Sequence, residues 1–469
     1  MLGASFFCSR SALRDARRII PTIANMLSQS DPEIRLAICE VLECTPNVAD
    51  LNSLSEQFKS LVVGPIKKVV GNDINIYKVV VIDALDECAS LVDAHASRWT
   101  VESLITTILD GVADIPVKFF LLSRPEEWIK NTFSHNDPSS LRTFSLHEVA
   151  KSDVQRDIEV YLRSTFSEIA ISGGYSRQDS RWPPEEELTT LLARSDGLFI
   201  YAATAVRYIG APGVNSRLRL TKIVRPGHAS VLQTGTIDSL YGMIMDQAFD
   251  KLEDEECISR REVLASVVLF QTPLAMAGIA SLLDIAIDQV KVDLSPFHSV
   301  IHIPSTNGGH VAIFHASFRE FIVHPARCGD RHRVNGSQGH HMLTVKCLQL
   351  LNKSLRRNIC NLPEDEIGPD PHVIDCSVIP EAVRYSCLHW ASHLADTLAD
   401  LPVDIAPALE DLRTFADEHI LHWFECLSAF GELEFGLKSL ATAVEAISVG
   451  VQSREMLPLT DSVEVLHNT

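Results

Sequence analysis

The sequence predicts an α/β fold: a parallel sheet covered by helices, then a largely helical region holding a small winged-helix unit. Three observations predict it. Apolar strands alternate with amphipathic helices over the first 150 residues, the pattern of a parallel sheet buried on both faces. Two apolar runs flank "STNGG" at 305–309, a hairpin turn signal that follows helices. Residues 331–469 keep helical spacing, with Pro-rich breaks at 363–380 and 402–407.

Each element has its own reason. "LGASFFCS" (2–9) is short, apolar and β-prone, like a buried strand. Residues 11–45 read as two helices. Pro21 stands near the start of the first, and Asp31 with Pro32 gives the second an N-cap and a first-position proline. "SLSEQFKSLVVGPIKKV" is a further amphipathic helix, with Ser53 and Glu56 at capping-box spacing. Then come strand "YKVVVID", helix 100–111, strand "VKFFLLSR" (117–124) and a weaker strand "RTFSLHEV" (142–149). From about 150 the pattern turns helical. "ISGGYSRQDSRWPPEEE" is a loop; "ELTTLLARSDGLFIYAATAVRYI" is two helices broken at Gly197; 210–236 is a polar linker. The expected domains are therefore 1–150, 151–236, 237–330 and 331–469. No repeat of fixed period occurs.

Composition excludes several classes. A formal net charge of -20 and a pI near 5.3 argue against nucleic acid or anionic membrane as partners. The basic stretch with Arg217, Arg219 and Lys222 reads as a solvated loop. Eleven cysteines, odd in number and without CxxC, suit a reducing, cytoplasmic setting. The N-terminus lacks the basic region of a signal peptide. Residues 263–283 carry no charge, but Gln271, Thr272 and Pro273 interrupt them. Thr272 as N-cap and Pro273 in first position predict two short buried helices in place of a membrane span.

Four constellations bear on chemistry. Asp83-Ala84-Leu85-Asp86-Glu87 follows a buried strand; a carboxylate there can hold magnesium through water, and a second acid can polarise an attacking water. An acidic helix cap after the strand is the plainer alternative. Ser123-Arg124-Pro125 ends the neighbouring strand, where an arginine can neutralise a terminal phosphate; alone it reads equally as a surface arginine before a turn. His315 in "FHASFREF" reads first as a core histidine satisfied by backbone groups. "HWASH" puts His389 and His393 on one helix face as in zinc hydrolases, yet Trp390 stands where the catalytic glutamate would. Neither Cys387 nor His340-His341 completes a standard zinc site. No GxSxG nucleophile elbow occurs.

Together these residues resemble the NACHT family of STAND-type P-loop ATPases, in particular its fungal NOD-like receptors. The likeness runs through "SFFCSR…IIPTIANML", "VVVIDALDEC", "FFLLSRPEEWI", "DGLFIYAATAVRYI", "HVAIFHASFREFI", "YSCLHWASHL" and "HILHWFECLSAFGELE", most of residues 2–440. It implies a truncated parallel-sheet P-loop NTPase core, a helical domain, a winged helix and a C-terminal helical region. By resemblance Asp83 is the magnesium acid of Mg-ATP or Mg-ADP, and Asp86 and Glu87 are the catalytic acids. Arg124 is the sensor arginine, and His315 is the winged-helix histidine that touches the nucleotide phosphate. The implied setting is signalling in innate immunity or programmed cell death, with self-association or association with full-length family members.

Three departures shape the expectation. No GxxxxGK[ST], nor any Gly-Lys, occurs in the sequence, so the backbone cradle for phosphates is missing. Phe199 stands where the family often has a base-contacting proline. The sequence carries neither a signalling domain nor sensing repeats. Hence an inactive ATPase relative is expected, with weak nucleotide binding and low stability over 1–150. An active ATPase whose loop is encoded upstream and a nucleotide-free scaffold are the alternatives; a zinc hydrolase is a remoter one.

Overall fold

In the computed structural model, the apolar run 78–83 becomes the central strand of a parallel sheet. The structure describes residues 2–8, 18–48, 53–70, 78–88, 101–113, 115–134, 141–145, 149–172, 182–225, 237–304, 308–362, 376–399 and 406–452. The chain divides into two units, Met1–Glu148 and Val149–Thr469, each with its own apolar core.

In the first unit β1 (Leu2–Phe7), β2 (Lys78–Asp83) and β3 (Val117–Leu121) lie in the order β1-β2-β3. Both pairings are parallel; Phe7 stands opposite Asp83, and Ile82 opposite Leu121. Val80 and Ile82 are fully buried, while Val79 and Val81 are half-buried on the other face. β-branched side chains suit such a doubly covered strand. The edges differ: Phe7 is 66% and Phe120 59% exposed. The cover expected on both faces therefore holds for β2 and not for the whole sheet.

Helices link the strands. Between β1 and β2 run α1 (Ile19–Ser30), α2 (Pro32–Cys44), α3 (Leu54–Phe58), a π-helical turn (Lys59–Val63) and α4 (Gly64–Val70). α1 buries Ile19, Ile20, Ile23, Ala24 and Leu27, a helical stripe. Asp31 caps α2 as its sequence predicts, accepting from the Glu33 and Ile34 amides behind Pro32. Ser53 accepts from the Glu56 amide at 3.3 Å. The wider π turn lets three consecutive residues, Leu61, Val62 and Val63, all bury. Between β2 and β3 lie α5 (Leu85–Cys88) and α6 (Val101–Val112); α7 (Glu127–Ser134) follows β3. The expected strand at 142–149 is not seen: 142–145 have no regular structure, and 146–148 lie outside the described residues.

The second unit opens with α8 (Lys151–Ser172), α9 (Glu185–Ser195), α10 (Phe199–Ile209) and α11 (Ser216–Val224). Asp196 and Gly197 both take left-handed backbone, φ 42° and 79°. This ends α9 at the expected glycine break. α11 corrects the reading of 210–236 as a linker and of its arginines as a solvated loop. Asn215 caps it through the Leu218 amide, and Leu220, Ile223 and Val224 are buried.

Next come α12 (Ile237–Ala248), α13 (Asp254–Leu269), α14 (Met276–Leu283) and α15 (Ile287–Leu294). The uncharged segment 263–283 is indeed two helices, and no helix among the described residues is long and apolar enough to cross a membrane. The cap was misplaced, however. α14 starts at Met276, and the Glu381 carboxylate accepts from the Ala275 amide at 3.2 Å. Thr272 instead meets His389 Nε2 at 3.2 Å.

The hairpin forms as β4 (Ile301–His302) antiparallel to β5 (Ala312–Ile313), each of two residues. His310 bridges to Ala275; turn residues 305–307 lie outside the described set. α16 (Ala316–Val323) and α17 (Pro325–Cys328) follow. A helical bundle completes the unit: α18 (Gly336–Ser354), α19 (Glu381–Ala399), α20 (Ala406–Thr414), a π-helical turn (Phe415–His419), α21 (Ile420–Phe430) and α22 (Leu433–Gln452). Its centre is aromatic. Trp390, Phe415 and Trp423 are fully buried with ring centroids 5.2–6.0 Å apart, and Trp423 donates its indole N–H to Cys387 O.

Candidate functional site

The parallel register aligns the carboxyl ends of β1, β2 and β3, where ligands of such sheets bind. Cys8 N–H donates to Asp83 O at 2.9 Å, and Leu122 N–H to Ile82 O at 2.9 Å. Directly after Asp83, Ala84 takes φ 57°. This turns the chain so that Leu85 N–H reaches Leu122 O at 3.0 Å. A non-glycine residue in left-handed backbone is a local strain that the surrounding bonds must hold. It places Asp83, Asp86 and Glu87 on one edge of the sheet within a single turn.

Asp86 is the buried member of the three, 8% exposed. Its Oδ1 accepts from Arg124 N–H at 2.9 Å and from Ser123 Oγ at 3.3 Å. Its Oδ2 lies 3.6 Å from Arg124 Nε. The carboxylate thus ties the end of β3 to the turn after β2 with charge-assisted bonds. Asp83 and Glu87 are half-buried; Asp83 Oδ1 accepts from Ala84 N–H at 2.8 Å. Of the residues singled out in the sequence, Asp86 and Arg124 are thus bonded at the carboxyl end of the sheet, with Asp83 and Glu87 beside Asp86 in the chain. Behind them are two thiols that drew no attention in the sequence, Cys8 and Cys88, both buried. The hydrogen bond to Cys88 and burial push the Cys8 thiol up, and the Glu87 and Asp83 carboxylates add to it. It stays protonated, a packing thiol and not a nucleophile.

His315 belongs to the second unit and is exposed, which corrects its reading as a core histidine. It caps α16: its Nδ1 accepts from Ser317 N–H at 3.2 Å and lies 2.7 Å from Ser317 Oγ. Ser317 Oγ in turn lies 2.8 Å from Tyr241 OH. Neighbouring Phe314 is covered by Arg207, whose guanidinium carbon stands 3.9 Å from the ring centre. Phe199, 45% exposed, opens α10 edge-to-face with Tyr161 at 6.3 Å.

A cavity of about 530 Å³ also lies in the second unit, lined by Tyr208, Arg219, Gln247, Lys291 and His298. Arg219 stacks 4.4 Å from the centre of the Tyr208 ring. Burial lowers the pKa of both Arg219 and His298. None of the residues singled out for nucleotide chemistry lines it. The "HWASH" pair also separates: His389 turns to Thr272, whereas His393 turns to His340 and Tyr385.

Two comparisons bear on this arrangement. Residues 2–124, which span β1 to Arg124, match the family model described as Nephrocystin 3, N-terminal. Over 386 residues, 77% of the chain, the sequence is 22% identical to the vegetative incompatibility protein HET-E-1 of Podospora anserina. The chain spans only about a quarter of that relative, 26% of its length. The first match includes Asp83, Asp86, Glu87 and Arg124, and the two together are in keeping with the resemblance to the NACHT-type NOD-like receptors of fungi.

Proposed function

We propose that this chain is a signalling or regulatory protein of the NACHT, NOD-like-receptor type. The observation that carries the reading is the bonding of Asp86 to Arg124 across aligned strand ends, with Asp83 and Glu87 flanking Asp86, in a chain similar to HET-E-1 along 77% of its length. Asp83 would hold a magnesium ion through water. Asp86 and Glu87 are the acids of the ancestral hydrolytic site, with Arg124 facing the terminal phosphate. Hairpin β4–β5 with α16 forms a winged helix, in which exposed His315 at the helix start is the residue that would touch a nucleotide phosphate. The Podospora relative is named for vegetative incompatibility, and non-self recognition is the setting proposed here. Self-association, or association with longer relatives, is part of this reading.

The donor set fits the metal half of Mg-ATP and not the phosphate half. Asp83 at the end of β2 and Glu87 in α5 are both half-buried, which suits a hydrated magnesium. The 469 residues supply no glycine-rich loop with lysine to cradle phosphates. For a polypeptide of these residues we expect Mg-ATP to bind more weakly than about 100 µM by titration calorimetry. Asp83→Ala should change little. Micromolar binding that Asp83→Ala abolishes would overturn the weak-binding part of the proposal. Sedimentation of the chain alone and with a longer relative tests association; monomers throughout would count against it.

A further inference from the structure

We propose that His340, His393 and Asp396 form a divalent-cation site of the zinc class, joining α18 to α19. The three donor atoms lie within 4.8 Å of one another. His340 Nδ1 and His393 Nδ1 are 2.8 Å apart, and Asp396 Oδ2 is 3.7 Å from His340 Nδ1. On a tetrahedral zinc with Zn–N bonds of about 2.0–2.1 Å, neighbouring donors stand about 3.3 Å apart. Seating an ion therefore asks for roughly half an ångström of change in each of these two distances, and for at most about 1.5 Å between His393 and Asp396. Imidazole and carboxylate donors in this number suit zinc, with a fourth position for water.

The surroundings favour ligation. His393 is fully buried on α19, and its second nitrogen, Nε2, lies 2.8 Å from Tyr385 OH. Ligation through Nδ1 puts the His393 proton on Nε2, where the Tyr385 oxygen accepts it. Such an outer partner fixes the ring of a metal-binding histidine. Asp396 sits one turn further along α19, on the same face as His393. Gln271 Nε2 donates to its Oδ2 at 3.5 Å. Burial lowers the His340 pKa; the Asp396 carboxylate opposes this and the Arg319 charge adds to it. His389, one turn before His393 on the same face, is not part of the site: it meets Thr272 at 3.2 Å, whereas His393 meets His340 of α18.

The test uses the whole chain, stripped of metal with chelator. Zinc titration should show one equivalent bound at about 1 µM or tighter. Cobalt should give the visible bands of a tetrahedral site. Saturating zinc should raise the melting temperature of this unit by about 4 °C. Asp396→Asn, at a half-exposed position that leaves packing intact, should weaken zinc at least tenfold. His340→Gln should do the same, and circular dichroism should find both variants folded. No zinc binding at about 100 µM, or unchanged affinity in both variants, would overturn the site.

Discussion

Asp31 ties two elements together with one side chain. Its carboxylate caps α2 and reaches Lys78 Nζ at 3.1 Å. Burial acts to raise its pKa, but the Lys78 hydrogen bond and the Ile34 and Glu33 amides outweigh burial and hold it below the usual value. A depressed folded pKa gives stability that is present above about pH 4 and is lost as the pH falls through the folded value. Asp31→Asn keeps the cap and removes the charge. Its stability deficit against the wild type should therefore be full at pH 7 and shrink toward zero by about pH 2. A deficit independent of pH in denaturant titrations would refute the linkage. The cap was legible from the Asp-Pro pair; the Lys78 partner was not, since nothing local joins α2 to the start of β2. Asp86 repeats the lesson. Its place in an acidic run was legible, while its bonds to Ser123 and Arg124 depend on the register of β2 against β3.

At the scale of elements, Gly111 shows packing overriding propensity. It lies in α6, where alanine would ordinarily gain about 1 kcal/mol. A Cβ there would stand 2.6 Å from Phe58 Cε1 and 2.9 Å from Cδ1. Phe58 is fully buried on α3 and packs edge-to-face on Phe119 at 5.8 Å. Gly111→Ala should destabilise the first unit by about 1–3 kcal/mol, read from its unfolding midpoint; a stabilised variant would show the ring free to move. Elements with local signals were read well: α1, α2, β2, the break at Gly197 and the paired hairpin strands. The start of α14 was not. Thr272 and Pro273 are good capping residues, but Glu381, far along the chain, serves the amide at Ala275, so the helix begins later. α11 was missed because its buried stripe of Leu220, Ile223 and Val224 is short and interleaved with arginine and lysine.

Over the molecule as a whole, the apolar side chains of the described residues gather into two separate cores, one for each unit. Separate cores make separate cooperative units. Calorimetry should show two transitions, and Gly111→Ala should lower one of them only. A single transition, or an equal shift of both, would refute that division. The sequence by itself determined the parallel sheet, the helical region after it and the acidic turn at 83–87, because periodicity, caps and strand-end acids are local signals. Tertiary structure alone decided what those residues face. Parallel register gave Asp86 to Arg124, and helix packing gave His393 to His340 and His389 to Thr272. Partners brought together from distant parts of the chain leave no trace in local spacing, since the spacing records only which face a residue occupies.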